Sequence, residues 1–253
     1  MRIFEEYLMI RTIVAIVFIV LFLILSLPVW LVLQLIGLFS PESKAMASLA
    51  IIRWAFSAVL FITGTKITVK GKENIPEDRA VLYVANHRSI FDILINYVYM
   101  KRPTGFISKI EMKKVPIFNM WMKNIGCLFL DRNDIRQGMQ TILKAVDSVK
   151  KGTSIFIFPE GTRSKVEGEF LPFKGGSFKI AEKSSCDVIP VTIVGSADIF
   201  EDHKPKVKKT HVIIEYGKPF VTKDMSKEEI KALPEVARQL IIETHERNKE
   251  EVV

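Results

Sequence analysis

The chain has 253 residues, 49% of them apolar, which suffices for a buried core in one domain of ordinary to large size plus an appendage and excludes global disorder. A formal net charge of +8 implies a surface that attracts polyanions: anionic lipid headgroups, phosphorylated small molecules, acidic carrier proteins or nucleic acid. Cys127 and Cys186, far apart and each beside an apolar run, argue against a disulfide framework and suit a reducing compartment.

In chain order, the first feature is a run without a charged residue from Thr12 to Phe39, rich in Ile, Leu, Val and Phe. It reads as membrane-inserting sequence, longer than the roughly 20 residues one span needs but short of two spans. Pro28 interrupts it near its middle. A proline inside a helical pattern kinks or ends the helix, so the run is either one tilted, kinked span or a hairpin that dips into one leaflet and returns. The hairpin is favoured because it keeps Arg2, Arg11, Lys44 and Arg53 together on the cytoplasmic side. A cleaved signal peptide fits less well, since the run is too long and lacks a convincing small-residue cleavage site. Residues 45–62 form a second apolar stretch, broken by Arg53, that suits a helix lying on the membrane or packed on the core.

A soluble body begins near Thr65, giving an expected division into membrane-docking helices over residues 1–64 and one domain over 65–253. Short apolar runs predict strands at 67–69, 80–84, 105–107, 127–130, 154–158, 188–194 and 211–215. Helices are predicted at 90–100, 134–150, 177–183 and 226–249, the last broken near Pro234 and opened by the capping pair Ser226 and Glu229. Strands alternating with helices imply an α/β fold: a single domain with a mixed, largely central β-sheet flanked by helices. No internal repeat or low-complexity linker suggests a second soluble domain.

Two strand ends carry chemistry. Residues 81–84 are followed by Asn86-His87-Arg88-Ser89-Ile90-Phe91-Asp92. Ser89 and Asp92 fit a helix N-terminus, which leaves His87 in the turn between strand and helix, where ligand sites of open α/β sheets lie. The other reading is a solvated histidine beside a capping pair. Residues 154–158 run into Phe158-Pro159-Glu160-Gly161-Thr162-Arg163-Ser164, in which Gly161 permits close backbone approach, Arg163 offers a planar fork for phosphate oxygens, and Thr162 and Ser164 add hydroxyls. Alternatively Arg163 pairs with Glu160 in an ordinary polar turn. Lys109 and the Asp131-Arg132 pair stand at two further strand ends, where a solvated lysine and a surface ion pair are the default readings. The segment 115–122, with Ile117, Phe118, Trp121 and Met122 among lysines, suits either an interfacial helix or an amphipathic core helix. His203, His211 and His245 lack metal-ligand spacing and read as solvated or structural, so no metal is expected.

Together these stretches resemble the glycerolipid acyltransferases, and most closely the bacterial 1-acyl-sn-glycerol-3-phosphate (lysophosphatidic acid) acyltransferases. Residues 86–92 look like that family's N-H-x-x-x-x-D motif and residues 158–164 like its F-P-E-G-T-R-S motif, in the family's order. Residues 126–132 and 188–194, with Pro190, resemble two further blocks, so the likeness runs from about Thr65 to Gly217. The resemblance implies that His87 is a general base and Asp92 its orienting acid, with Lys109, Arg132, Glu160, Gly161, Thr162 and Arg163 lining the acceptor's phosphate site. It further implies transfer of an acyl group from acyl carrier protein or coenzyme A to lysophosphatidic acid at the cytoplasmic face of the cell membrane, with no cofactor beyond the thioester co-substrate. The same chemistry on glycerol 3-phosphate or another lysolipid is the near alternative. A non-catalytic protein that binds anionic lipid is the distant one, and the membrane segment argues against a nucleic-acid partner.

Overall fold

The computed structural model describes residues 2–252, with side chains from Leu8 onward. Three helices come first: α1 (Arg2–Leu25), α2 (Leu27–Phe39) and α3 (Pro41–Thr63). Helical hydrogen bonding continues across the α1–α2 junction, from Ser26 N–H to Phe22 O and from Trp30 N–H to Ser26 O. Pro28 therefore kinks one arm and does not reverse it. The chain turns back at Ser40, whose side chain caps α3 by accepting the Ser43 N–H at 3.2 Å, with Pro41 in the first turn.

This corrects the expected hairpin within residues 12–39. α3 runs back along the kinked arm, so that Trp54 meets Phe18 and Phe22, and Arg11 donates to the carbonyl of Thr63 at the body end. Lys44 lies against Gly37 beside the turn, remote from Arg11, so the expected cluster of basic residues at one end does not form. Arg2, also named in that cluster, lies outside the residues whose side chains are described.

The body is a seven-stranded sheet of β1 (Lys66–Lys70), β2 (Leu82–Ala85), β3 (Thr104–Lys109), β4 (Leu128–Leu130), β5 (Ser154–Ile157), β6 (Val188–Val194) and β7 (His211–Tyr216). Their spatial order is β1-β7-β6-β2-β5-β3-β4, parallel throughout except for the β6–β7 pair. All seven expected strands are present, in a mixed central sheet flanked by helices. The central strands are continuous apolar runs because both faces are covered. On β2, Tyr83 and Ala85 face a cluster built with α3, α4 (Phe91–Tyr99) and α5 (Phe118–Asn124), while Leu82 and Val84 face α6 (Ile135–Lys150), α7 (Lys179–Ser184) and α8 (Lys227–Lys249).

Residues 45–62 thus belong to a helix packed on the core: Leu49, Ile52, Val59 and Leu60 are buried, and Trp54 and Phe61 are left exposed. The segment 115–122 also packs inward, with Trp121 and Met122 buried and Trp121 Nε1 donating to Ser26 Oγ at 3.0 Å. α8 is unbroken. Its capping box at Ser226 and Glu229 forms as expected, but Pro234 is accommodated inside the helix. An interior proline costs about 3 kcal/mol, which burial of Leu233, Ala237 and Ile241 against the sheet offsets.

Candidate active site

Because β2 and β5 are adjacent and parallel, the two polar turns that follow them lie side by side at the carboxyl edge of the sheet. The turn after β2 is held from both flanks. The Asn86 side chain bridges to β6, donating to Ile193 O at 2.8 Å and accepting the Ile193 N–H at 2.9 Å. On the other flank, His87 N–H donates to Glu160 Oε1 at 2.9 Å and His87 O accepts the Ser164 N–H at 2.9 Å.

His87 Nδ1 lies 2.8 Å from Asp92 Oδ2, and the same oxygen accepts the N–H groups of Arg88 and Ser89, each at 2.9 Å. A carboxylate can only accept, so Nδ1 carries the ring proton and the lone pair is on Nε2. No described residue bonds Nε2. Phe158 stacks on the imidazole with centroids 3.8 Å apart and planes 12° apart, fixing the ring's plane as Asp92 fixes its rotation. Asp92 is fully buried and the His87 side chain is 14% exposed, so the pair is shielded on the protein side and open on one. α4 begins at Phe91, and the expected Ser89–Asp92 pair forms in one half: Asp92 Oδ2 accepts the Ser89 N–H, while Ser89 Oγ accepts the Phe91 N–H at 3.0 Å in place of that of Asp92.

The other expected residues divide into two groups. Glu160 is 4% exposed and supports the turn, accepting from His87 and, through Oε2, from the Leu171 N–H at 3.1 Å. Burial pushes its carboxyl up to about 7, against the pull of those two N–H groups. It does not pair with Arg163. Arg163 reaches Glu201 at 2.8 Å on the site's outer side. Gly161 has φ of +74°, a conformation that favours glycine, and Thr162 is exposed beside it. Lys109 and Arg132 meet around Glu111: Lys109 Nζ is 2.8 Å from its carboxylate, and hydrogen bonding from Lys109, with a smaller contribution from the Arg132 charge, holds that carboxyl below the usual range.

Residues not foreseen bind these turns together. Glu201, on a short 3-10 segment after β6, accepts from Ser89 Oγ and from Ile90 N–H as well as from Arg163. Arg88 spans Glu167 and Asp202 at 3.2 and 3.1 Å, and His245, buried on α8, bonds Glu167 at 2.8 Å. Nothing local in the sequence pairs these groups, since their partners lie 35 or more positions away except within the turns themselves.

The model of the Acyltransferase family matches residues 66–194, the span that contains both turns. The chain belongs to this family. A probable 1-acyl-sn-glycerol-3-phosphate acyltransferase of Mycoplasma pneumoniae is 37% identical over 163 residues, covering 62% of this chain and 59% of that one. The 1-acyl-sn-glycerol-3-phosphate acyltransferase of Borreliella burgdorferi is 33% identical over 153 residues, 60% and 61% of the respective chains. The matches thus span less than two thirds of these curated relatives. Among solved structures, the 1-acyl-sn-glycerophosphate (LPA) acyltransferase PlsC from Thermotoga maritima superposes with a TM-score of 0.80 at 26% identity, covering 96% of this chain and 98% of that one. That superposition takes in α1–α3 as well as the sheet.

Proposed function

We propose that the chain is a membrane-docked 1-acyl-sn-glycerol-3-phosphate acyltransferase, moving a fatty acyl group from an acyl thioester to the sn-2 hydroxyl of lysophosphatidic acid to give phosphatidic acid. The observation that carries this reading is the His87–Asp92 pair with Nε2 open, set against the turn that bears Arg163. Nε2 takes the hydroxyl proton as the acceptor oxygen attacks the thioester carbonyl, and the proton then passes to the departing thiolate. Asp92 stabilises the imidazolium in between. No enzyme nucleophile is required, because the acceptor's own hydroxyl forms the new ester. Arg163, with Lys109 and Arg132, offers cations for the acceptor's phosphate, and holding two substrates together supplies much of the acceleration.

The hairpin supports docking at a membrane surface. α1 and α2 leave Ile13, Val17, Leu21, Leu25, Leu31, Leu35 and Leu38 exposed, an apolar face far larger than a soluble monomer shows. α1 and α3 are long and apolar enough to cross a membrane. Yet α3 buries Leu49, Ile52, Val59 and Leu60 against the body, and Arg53 Nε donates to Val98 O on α4 at 3.1 Å. A helix so attached cannot stand clear of the body across a bilayer, which favours docking into one leaflet. The +8 charge suits the cytoplasmic face and an acidic carrier protein or coenzyme A donor.

The test is transfer of radiolabelled acyl groups by purified wild type and His87→Ala, with lysophosphatidic acid and glycerol 3-phosphate offered in parallel. Phosphatidic acid from the first acceptor, lost in the variant, is the expected result. Transfer to glycerol 3-phosphate alone would reassign the acceptor, and unchanged turnover by the variant would remove His87 from the mechanism.

A further inference from the structure

Two of the cations expected at the phosphate site are already engaged. Arg163 is held by Glu201 and Lys109 by Glu111, each at 2.8 Å, so an incoming phosphate must compete with or share those carboxylates. A different cation is placed against the same turn without such a partner. Lys174 donates its backbone N–H to Pro159 O at 3.0 Å, which fixes its main chain to the turn that carries Glu160 and Arg163. Its side chain folds over Gly161. A methyl group on Gly161 would stand 2.6 Å from Lys174 Nζ and 3.1 Å from Cε, so the missing side chain at this φ of +74° is what admits the lysine. Among the described residues Lys174 Nζ has neither a hydrogen bond nor an ion pair.

The space beside it is open: a Cβ at Gly175 or Gly176 would meet no atom within 4 Å. The turn beneath it is tied to His87 through Ser164 N–H and through Glu160, so a group bound at Lys174 sits on the framework that positions the imidazole. An ammonium with three donors, free of counter-charge and flanked by open glycines, suits a phosphate better than a guanidinium already spanning a carboxylate.

We propose that Lys174 Nζ is a ligand for the acceptor's phosphate, acting beside Arg163. This rests on the reading of the acceptor as lysophosphatidic acid. The test compares the full-length wild type with Lys174→Met, which keeps an apolar stem over Gly161, and Lys174→Arg, which restores the charge. Each is assayed with lysophosphatidic acid and with its phosphate-free counterpart, a monoacylglycerol, using one donor. Lys174→Met should lower kcat/KM for lysophosphatidic acid on the order of tenfold, mainly through KM, and leave the monoacylglycerol rate within about twofold, as loss of one charge-assisted bond requires. Lys174→Arg should recover most of the loss. An equal fall with both acceptors would make Lys174 a prop for the turn, and an unchanged rate with lysophosphatidic acid would remove it from the site. Should the wild type transfer to neither acceptor, the reaction assignment fails by itself. Equilibrium binding of radiolabelled lysophosphatidic acid and monoacylglycerol still decides the lysine's role, weaker binding of the phosphate-bearing ligand alone supporting it and equal binding overturning it.

Discussion

Replacing Glu160 by Gln tests whether the turn that holds His87 rests on a buried carboxyl. In the wild type the two oxygens divide the work, Oε1 accepting from His87 N–H at 2.9 Å and Oε2 from Leu171 N–H at 3.1 Å. A carboxamide has one accepting oxygen and one donating NH2, so one of those N–H groups must lose its acceptor at any pH, at about 1–3 kcal/mol. The carboxyl carries an opposing, pH-dependent cost. Burial raises it from 4.5 to about 7, and at 1.36 kcal/mol per pK unit the ionised form costs about 3 kcal/mol that glutamine never incurs. The native state therefore binds more protons than the unfolded chain between those values. Its extra stability is complete below pH 4.5 and is lost as pH rises through about 7. Thermal unfolding of both proteins in detergent micelles from pH 5 to pH 8, followed by tryptophan fluorescence, should show Glu160→Gln less stable at pH 5 and close to or above wild type at pH 8. Parallel pH profiles would refute both the raised carboxyl and its part in holding the turn.

Two other substitutions probe neighbouring contacts. In Asp92→Asn the amide oxygen can keep the three bonds now made to Oδ2, so the fold should survive by circular dichroism, while loss of the charge behind the imidazolium lowers kcat by at least about 100-fold. A fall of less than about fivefold would show that Asp92 only orients the ring. Glu201→Ala strips the acceptor from Ser89 Oγ and Ile90 N–H and the counter-ion from Arg163, and should reduce unfolding stability by about 2 kcal/mol. A change below about 0.5 kcal/mol in denaturant titration would mean that those groups find water at no cost.

What the sequence discloses of this site depends on how locally each contact is made. His87 and Asp92 are five positions apart and meet within one strand-to-helix turn, so the spacing alone suggests their contact. Glu160 meets His87 across 73 positions because β2 and β5 happen to be neighbours, and only knowledge of the sheet order reveals it. Arg163 shows the limit: its partner within the turn was Glu160 on the face of the sequence, but the turn directs Glu160 inward to two main-chain N–H groups and leaves Arg163 to Glu201, 38 positions on. Strands were legible because sheets covered on both faces need unbroken apolar runs. The reversal of the N-terminal hairpin was not, because Pro28 looks like a stronger breaker than the Ser40-Pro41 pair. Both prolines follow a serine N-cap within the first turn, but Ser40 is extended and its side chain accepts the Ser43 N–H, whereas Ser26 stays in the right-handed helical region without a side-chain cap bond, so Pro28 merely bends the arm.

The support for the imidazole is also distributed so that each contact fixes a different degree of freedom and none occupies Nε2. Asp92 fixes the ring's rotation and tautomer, Phe158 fixes its plane, and Glu160 and Asn86 fix the main chain from the two neighbouring strands. Only the first of these contacts carries charge to the ring itself. The remaining three hold the ring and its main chain without a bond to Nε2, so that nitrogen is fixed in place while its lone pair stays available to an acceptor hydroxyl. The proton transfer proposed for His87 requires that arrangement, because an imidazole held by a further partner at Nε2 would have no lone pair to offer.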